Sequence, residues 1–338
     1  MPIDGANIGE LVLELEPPVL IISSHAGRGM YSIGEAIRTR HAGTMRMHHL
    51  PIEALLPPRA VEEDLSRYRL IASRFPWLLG LIYRMPFFYR RKYLREIHRR
   101  TTHLELLQKT IATLGARTVI AISHRAAFWA GALKQREGLT YQLWGLEAEY
   151  GPSLAWRYVF WEQMNGFLSP QPSKEVVYPF PASVDVRQVA IPVNEQFSAL
   201  ADHAGNKNSV LLTGGYWGLG RLFSITTQLA AAMPTMHIDV VCGENHRLHQ
   251  RLVSRFGSSP NLRIFGVVDS MVPLTRRAGA VISKPGISTI AETQAARRQL
   301  FLLRGLPVAE DHNALYAVRH FGAQWFSLAN LKRWYDAA

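Results

Sequence analysis

Short apolar runs that alternate with helical patterns constrain the fold of this chain more than any other feature. In the first half, VLIIS at 19–23 and TVIAIS at 118–123 have the length of buried strands, and helical patterns occupy 31–40 and 104–114. Strands that alternate with helices are typical of parallel sheets with crossover helices. The pattern therefore predicts an α/β protein with two doubly wound, Rossmann-like domains that face each other across a cleft. The second half repeats the alternation, with strand-like runs at 209–213, 237–242, 262–265, 280–283 and 299–303.

The domain boundary is predicted where this alternation fades. With 338 residues, the chain is long for one domain and sufficient for two. Shorter strand candidates at 141–143 and 166–168 complete the first half, and polar residues then accumulate over 181–208. We therefore predict an N-terminal domain over 1–190 and a C-terminal domain over 191–338.

The composition indicates an anionic partner and a reducing location. The formal net charge is +12 and the sequence pI is about 10.0, which favours nucleic acid, an anionic membrane surface or a phosphorylated substrate. Cys242 is the single cysteine, so no disulfide forms within the chain. No apolar run approaches the roughly 18 residues that span a bilayer, and the start of the sequence does not read as a signal peptide. These features predict a cytoplasmic protein.

The stretch VISKPGISTIAET at 281–293 reads as a strand, a turn and the start of a helix. In one interpretation, Gly286 allows an unusual backbone angle and the free N–H groups of the helix start, near Ser288 and Thr289, bind a diphosphate. In the other, Thr289-Ile-Ala-Glu292 is a capping box that satisfies those groups internally. Taken alone, the stretch favours the cap, and the glycine-rich GGYWGLG at 214–220 favours an ordinary strand-to-helix turn.

Five motifs in a fixed order carry a family resemblance. The order LLTGGYWGLG, VVCGENHRLHQRL, FGVVDSMVPL, VISKPGISTIAET and EDHNALYAVRHFGA covers nearly the whole second half. It resembles the donor-binding half of GT-B glycosyltransferases. The nearest group contains monogalactosyldiacylglycerol synthases and processive diacylglycerol glucosyltransferases, and more distantly the bacterial lipid II N-acetylglucosaminyltransferase. The resemblance implies a GT-B fold and a UDP-sugar donor.

The resemblance also implies roles for individual residues in the second half. The backbone from Phe265 to Val267 would bind uracil, and Glu292 would bind the ribose hydroxyls. Such folds stabilise the leaving diphosphate by a helix dipole and side chains, so neither a metal nor another cofactor is expected. His48, His49, His246 and His249 are expected to be surface residues. The diphosphate would contact Gly214, Gly215, Gly286, Ser288 and Thr289, and the donor sugar would lie near Asp311 and Asn313.

In the first half, SSHAGRGMYSIGEAI at 23–37 aligns without a gap on the family's segment SDTGGGHRASAEAI. Gly27 and Gly29 match, the family's acid falls on His25, and its histidine falls on Met30. His25 is either a general base for the acceptor hydroxyl or a loop histidine that binds a backbone carbonyl. Glu147 and Glu149 are second base candidates, and the alternative for each is an ordinary exposed loop acid.

The segment 75–100, FPWLLGLIYRMPFFYRRKYLREIHRR, interleaves seven cations with aromatic and apolar residues. This pattern favours the headgroup zone of an anionic bilayer. The alternatives are a core helix whose arginines extend to water and a nucleic-acid patch, which ranks last because no nucleic-acid module accompanies it. The membrane-contacting candidates are Trp77, Arg84, Arg90, Arg91, Lys92 and Arg95.

Together these features predict an inverting hexosyltransferase that moves a sugar from a UDP-sugar to a lipid acceptor. It would be peripheral on the inner face of the cell membrane, with acceptor and membrane bound by the first domain. Two alternatives stay open. One is a catalytically inactive GT-B protein that binds or regulates, because Met30 replaces the family's histidine and the sequence ends soon after the last motif. The other is an epimerase that acts on UDP-N-acetylglucosamine.

Overall fold

A computed structural model describes residues 14–25, 27–85, 91, 101–151, 153–172, 178 and 180–337. The chain divides into two compact units, Met1–Asn194 and Glu195–Ala338. The boundary expected from the sequence, between 190 and 191, lies four residues before the observed one.

The first unit contains one parallel sheet of six strands in the order β2-β1-β3-β4-β5-β6. Its central strand β1 is buried along its whole length because helices cover both faces of such a sheet. The strands are β1 (Val19–Ser23), β2 (Met47–Pro51), β3 (Thr118–Ala121), β4 (Gln142–Leu146), β5 (Gly166–Ser169) and β6 (Asp185–Gln188). The helices are α1 (Gly29–Arg40), α2 (Pro58–Arg74), α3 (Pro76–Arg84), α4 (Thr101–Leu114) and α5 (His124–Glu137), with short 3-10 turns at Ile52–Leu55, Leu154–Tyr158 and Trp161–Gln163.

The sequence analysis did not predict the two edge strands of this sheet. β2 has the sequence MHHLP, and β6 lies inside the polar stretch that was read as an inter-domain segment. Both strands are partly solvated because each has a neighbour on one side only. They therefore lack the continuous apolar run that identifies a central strand.

The second unit also contains a parallel sheet of six strands, in the order β12-β11-β10-β7-β8-β9. Its strands are β7 (Asn206–Thr213), β8 (His237–Val241), β9 (Leu262–Phe265), β10 (Ala278–Ser283), β11 (Gln299–Leu302) and β12 (Gln324–Trp325). Its helices are α6 (Glu195–Ser198), α7 (Leu222–Ala232), α8 (His246–Phe256), α9 (Val272–Arg277), α10 (Ile287–Ala295), α11 (Ala309–Phe321) and α12 (Leu328–Asp336).

Each unit has its own hydrophobic core, formed by one sheet face and the helices that cover it. In the first unit, Trp129 of α5 packs with Trp156 and Phe167, and all three side chains are buried. In the second, alternate residues of the central strands, such as Leu212 of β7 and Ile282 of β10, pack against α7 and α8. Such burial contributes about 1.5–3 kcal/mol for each large apolar side chain.

The order of the second sheet brings two loops together. β7 and β10 are parallel neighbours, and Thr213 at the end of β7 pairs with Ser283 at the end of β10. The glycine-rich loop that follows Thr213 and the turn that follows Ser283 therefore leave the sheet side by side. Loops at this edge are the usual ligand-binding position in open parallel sheets.

Candidate functional site

The glycine-rich loop after β7 interlocks with the loop after β8. The side-chain amide of Asn245 donates to the carbonyl of Gly218 over 3.1 Å, and the N–H of Glu244 donates to the carbonyl of Tyr216 over 2.8 Å. Gly218 has a φ of 57°, and a Cβ there would collide with the carbonyl of Cys242. A side chain at 218 is thus excluded by the packing of the two loops, quite apart from any ligand.

Gly215 in the same loop has a different neighbour. Its φ is 71°, and a Cβ there would lie 3.0 Å from Cε and 3.8 Å from Nζ of Lys284. Lys284 follows β10 directly, and its Nζ also lies 3.3 Å from where a Cβ on Gly286 would be. One ammonium group therefore lies beside two of the glycines that the sequence analysis assigned to the diphosphate.

A buried carboxylate holds this ammonium group. Nζ of Lys284 forms an ion pair with Oε1 of Glu310 in α11, and the other carboxylate oxygen accepts from the N–H of Leu306 over 2.6 Å. Sequence reasoning named neither Lys284 nor Glu310 as a site residue. The available signal was a lysine directly after a central parallel strand, in a position where cations meet anionic ligands.

The turn before α10 bears on two expectations. Gly286 has a φ of −71° and a ψ of 138°, which other residues also adopt, so the turn does not use the unusual backbone angle that a glycine allows. The helix begins at Ile287, three residues earlier than a capping box with Thr289 as its N-cap requires, and no side chain caps it. The capping-box interpretation is therefore wrong. The first-turn N–H groups of α10, to which Ser288 and Thr289 belong, have no capping side chain, as an anion site requires.

Glu292, in the second turn of α10, carries less negative charge than an exposed glutamate would at neutral pH. Burial among protein atoms raises the pKa of its carboxyl group to about 8, although part of the residue surface stays accessible. At neutral pH the group is mostly protonated. The repulsion between Glu292 and a bound diphosphate is correspondingly small, and a neutral carboxyl group can still bond hydroxyls.

Two residues expected near the donor sugar hold the surrounding loops. Asn313 is fully buried, and its amide donates to the carbonyl of Pro285 over 3.2 Å. Asp311 is exposed and accepts from the N–H of Val308 over 2.9 Å at the start of α11. Asn313 therefore helps to fix the turn at 284–286, beside the residues predicted to hold the diphosphate.

The predicted uracil site lies at the end of the edge strand β9. The carbonyl of Phe265 accepts from the N–H of Cys242 over 2.8 Å, so this oxygen is occupied by the sheet. Val267 is exposed, and none of the described residues forms a hydrogen bond with its backbone. The backbone of Val267 is thus available to a planar base.

In the first unit, His25 lies in the loop that follows β1. Glu53 holds this loop, because its carboxylate accepts from Oγ of Ser24 over 2.6 Å and from the N–H of His25 over 2.9 Å. Among the residues that the structure describes, none forms a hydrogen bond with the imidazole nitrogens of His25. The alternative that His25 binds a backbone carbonyl is therefore not supported within the described part of the chain.

The loop continues into α1 with space around its backbone. Gly27 is exposed with a φ of 71°, and a Cβ there would have no described neighbour within 4 Å. Gly29 is the first residue of α1, and Met30 follows in the first turn. Close packing among the described residues therefore does not require a glycine at 27, in contrast to Gly218.

The histidines at 48 and 49 do not lie on the surface as expected. They belong to β2, and the His49 side chain is 1% exposed. Nε2 of His48 is buried and has no hydrogen-bond partner in the described structure. Because both residues are polar, the sequence did not indicate that they belong to a strand whose side chains pack against α1.

Glu147 is not the exposed loop acid that the sequence alternative describes. It is buried, and the hydroxyl of Tyr178 donates to its carboxylate over 2.6 Å. Burial raises the pKa of Glu147 to about 8, against the opposing effect of the Tyr178 hydrogen bond. Glu149, two residues on, is half-buried. An acid that is mostly protonated at neutral pH is a weaker general base than an open imidazole.

The segment proposed to meet a membrane begins with α3, which has two different faces. Leu79 and Gly80 are buried, whereas Trp77 is 65% exposed and Leu81 is 46% exposed. This helix is therefore not a core helix. Arg84 and Arg91 are exposed, and Arg90, Lys92 and Arg95 lie outside the described residues. No helix within the described ranges is long and apolar enough to span a bilayer.

The sequence is similar to lipid glycosyltransferases. It is 32% identical over 115 residues to a processive diacylglycerol beta-glucosyltransferase of Bacillus cereus (strain 03BB102), which covers 34% of this chain and 30% of that relative. A protein of the same name from Bacillus cereus (strain AH187) is 21% identical over 324 residues, covering 90% of this chain and 80% of the relative. No protein-family model matches the chain.

Solved structures decide the fold. MurG of Acinetobacter baumannii matches with a TM-score of 0.56 at 12% identity, over 94% of this chain and 90% of MurG. The chain has the GT-B fold. The predicted resemblance to the processive diacylglycerol glucosyltransferases is likewise confirmed. A UDP-GlcNAc 2-epimerase of Neisseria meningitidis matches with a TM-score of 0.53 at 13% identity, over 94% of this chain and 90% of the epimerase. A GT-B fold alone therefore does not separate glycosyl transfer from epimerisation.

Proposed function

We propose that this protein transfers a hexosyl group from a UDP-sugar to a hydroxyl group of a lipid acceptor. The observation that carries the proposal is the meeting of three features at the ends of β7 and β10. These are the glycine at 215, the ammonium group of Lys284 and the uncapped first turn of α10. The similarity to processive diacylglycerol beta-glucosyltransferases over 90% of the chain supports a lipid acceptor.

The donor half of the reaction rests on stabilising the leaving diphosphate. Positive charge from Lys284 and from the α10 dipole would oppose the negative charge that develops as the sugar–phosphate bond breaks. Ser288 and Thr289 add hydroxyl donors in the first turn, and Glu292 binds the ribose in its mostly protonated form. These groups supply the required positive potential, so the proposed reaction uses no metal ion.

The acceptor half assigns the base to His25. As the acceptor oxygen bonds to the anomeric carbon, its proton moves to a ring nitrogen of His25, and the bond from that carbon to the diphosphate oxygen breaks. This is a single displacement, so the configuration at the anomeric carbon inverts. His25 suits the role because its imidazole nitrogens are open among the described residues and Glu53 anchors its backbone.

Calorimetric titration of UDP into the purified protein tests the donor site. We expect wild type to bind and Ser288→Ala/Thr289→Ala to weaken binding at least about tenfold, because hydrogen bonds to charged groups contribute about 1.5–3 kcal/mol each. Glu292→Ala is expected to weaken UDP binding but not binding of free pyrophosphate. Thr227→Ala on α7, which removes an exposed hydroxyl from the same unit, is the matched control and should change nothing.

The outcome separates the remaining alternatives. If wild type fails to bind UDP at millimolar concentration, the UDP-sugar transferase proposal is wrong. If UDP binds but radiolabelled UDP-hexoses give no product with diacylglycerol or another lipid alcohol, the protein is a GT-B binding protein. If UDP-N-acetylglucosamine is converted to its epimer without lipid, the protein is an epimerase.

The lipid acceptor also places the enzyme at a membrane in this proposal, peripheral on its inner face. The exposed side chains of Trp77 and Leu81 on α3 lie near the cations Arg74 and Arg84 in sequence. Each cation near an anionic bilayer surface contributes about 1 kcal/mol. Apolar and basic groups on one short segment fit a lipid surface better than they fit a soluble partner.

Vesicle sedimentation tests this surface. We expect the protein to sediment with vesicles of equal phosphatidylglycerol and phosphatidylcholine, and Trp77→Ala/Leu81→Ala to weaken binding about tenfold, because two apolar side chains no longer insert. Trp325→Ala removes the exposed tryptophan of the second unit and is the matched control. Equal sedimentation of all three proteins contradicts the assignment of α3 to the membrane.

A further inference from the structure

Three aromatic rings, those of His25, Tyr31 and His49, contact one another in sequence beside β1 and β2. The His25 imidazole stacks on Tyr31 with ring centroids 4.3 Å apart and an interplanar angle of 18°. Tyr31 also contacts the ring of His49, with ring centroids 4.8 Å apart and an interplanar angle of 36°. Tyr31 thus connects the loop that carries His25 to the buried side chain of His49 in the edge strand β2.

The ring at the base of this stack is fixed at both nitrogens. Nε2 of His49 lies 2.6 Å from Oγ of Ser23, and Nδ1 lies 2.6 Å from Oε1 of Glu35. Arg38 in turn donates to Glu35 over 2.8 Å. The whole chain of contacts joins β1, α1 and β2 through side chains alone.

The charges of the side chains in this series of contacts favour one set of proton positions. Burial lowers the pKa of His49, so its neutral form is favoured. Burial alone would raise the pKa of Glu35, but the hydrogen bonds from Arg38 and His49 outweigh it and the pKa is lowered. A neutral His49 then donates from Nδ1 to an ionised Glu35 and accepts from the Ser23 hydroxyl at Nε2.

Packing restrains the ring as well. A Cβ on Gly34 of α1 would lie 2.8 Å from Cε1 of His49, so α1 approaches the imidazole as closely as a glycine permits. With a hydrogen bond on each nitrogen and a helix backbone against one edge, His49 has a single orientation. Tyr31 therefore rests on a rigid support.

The contacts Ser23–His49–Glu35 have the order of a nucleophilic serine triad, but the site lacks its other requirements. Ser23 is 0% exposed, so no substrate carbonyl reaches its Oγ. The nearby N–H of His25, which could otherwise stabilise an oxyanion, donates to Glu53. A covalent acyl or glycosyl step on Ser23 is therefore not supported, and the chain of contacts needs another explanation.

We propose that His49 is a positioning residue that orients the His25 imidazole through Tyr31. Glu53 holds the backbone of His25 but leaves its ring free to rotate, and the one ring contact that the described residues provide is the face of Tyr31. Ser23 and Glu35 act indirectly, because their hydrogen bonds hold the ring of His49 against Tyr31. The catalytic consequence rests on the proposed function, in which His25 takes the acceptor proton.

The physical argument concerns orientation. A general base must direct a ring nitrogen at the proton it removes, within hydrogen-bond reach. An imidazole that rotates freely spends only part of its time in that direction, and small misplacements of reacting groups cost as much as about 100-fold in rate. Removing the support is therefore expected to reduce turnover without altering the donor site in the other unit.

Carbon-13 NMR of histidine-labelled protein tests the stack directly, with or without turnover. The chain has 13 histidines, and His25→Ala assigns the His25 signal by its loss. We expect the ring current of Tyr31 to shift the His25 Cε1–H signal upfield in wild type and in Tyr31→Phe. That shift should vanish in Tyr31→Leu and decrease in His49→Gln. His48→Gln, the same substitution at the adjacent residue of β2, is the matched control and should retain it.

Kinetics then test separately the positioning of His25 by the other two rings and the assignment of His25 as the base. His49→Gln and Tyr31→Leu are expected to lower kcat about 10- to 100-fold with the KM for UDP-sugar unchanged, and Tyr31→Phe to stay within about twofold of wild type. An unshifted His25 signal in wild type, or unchanged signals in His49→Gln and Tyr31→Leu, overturns the positioning role. If His25→Ala keeps full kcat while the signals behave as expected, the ring stack is right and the assignment of the base is wrong. Melting temperatures near wild type confirm that the variants fold.

Discussion

Replacing His25 by alanine is expected to lower kcat for transfer to the lipid acceptor by about 10²- to 10⁴-fold, the range typical of a lost general base. The expected effect is large because the acceptor is a neutral hydroxyl group that must lose its proton as it attacks. UDP affinity and the KM for UDP-sugar should stay at their wild-type values, because the predicted donor residues belong to the other compact unit.

Competing bases provide the controls for this experiment. Glu147→Gln and Glu149→Gln should each reduce kcat by less than about tenfold, because the proposed reaction assigns the base to His25. A buried, mostly protonated Glu147 in particular is a weaker base than an open imidazole. Added imidazole should restore part of the activity of His25→Ala and should not affect Glu147→Gln. A reversed ranking, with full activity in His25→Ala and a collapse in Glu149→Gln, would assign the base to Glu149.

Replacing Lys284 is expected to have the largest effect on donor binding. Lys284→Met should weaken UDP binding about 10- to 150-fold, which corresponds to the 1.5–3 kcal/mol of a hydrogen bond to a charged group. Binding of uridine, which has no phosphate, should change less than about twofold. This difference between the two ligands isolates the charge of Lys284 from any general disturbance of the site.

The partner of Lys284 gives a variant with the opposite expected sign. Glu310 pairs with Lys284 and accepts from Leu306, so Glu310→Gln removes the competing charge but keeps an acceptor for that N–H. UDP affinity should then be maintained or increased. Lys284→Met alone leaves Glu310 without its cation, and the double variant Lys284→Met/Glu310→Gln therefore checks that lost affinity does not come from an unpaired buried carboxylate. Equal loss of UDP and uridine binding would show that Lys284 is structural.

Several features of the site could be predicted from local sequence because the physics behind them is local. Apolar runs of strand length mark the central strands β1, β7 and β10, since both faces of a parallel sheet are covered. Motifs that follow these runs must lie at the carboxyl edge of a parallel sheet. That the loop of Gly215 lies beside the turn of Gly286 was implied by the GT-B resemblance, because strand patterns alone do not give the order of strands in the sheet.

The errors at His49 and Glu147 share one cause, which is that the solvent exposure of a side chain depends on neighbours distant in sequence. Two adjacent histidines in β2 suggest a wet surface, yet Ser23 and Glu35 supply partners that bury His49. An acid after β4 suggests a loop carboxylate, yet Tyr178, 31 residues on, covers Glu147. Local chemistry does not reveal such long-range pairs.

The sequence by itself determined the alternation of strands and helices, the GT-B resemblance, and which loops carry glycines and hydroxyls, because each depends on residues close together in the chain. Only the tertiary structure decided which charged and aromatic side chains come into contact. Lys284 and Glu310 pair across 26 positions, and His25 stacks on Tyr31 of α1, which contacts His49 of β2. Ion pairs and ring stacks depend on distances of a few ångströms in space, and these distances are set when the sheets assemble.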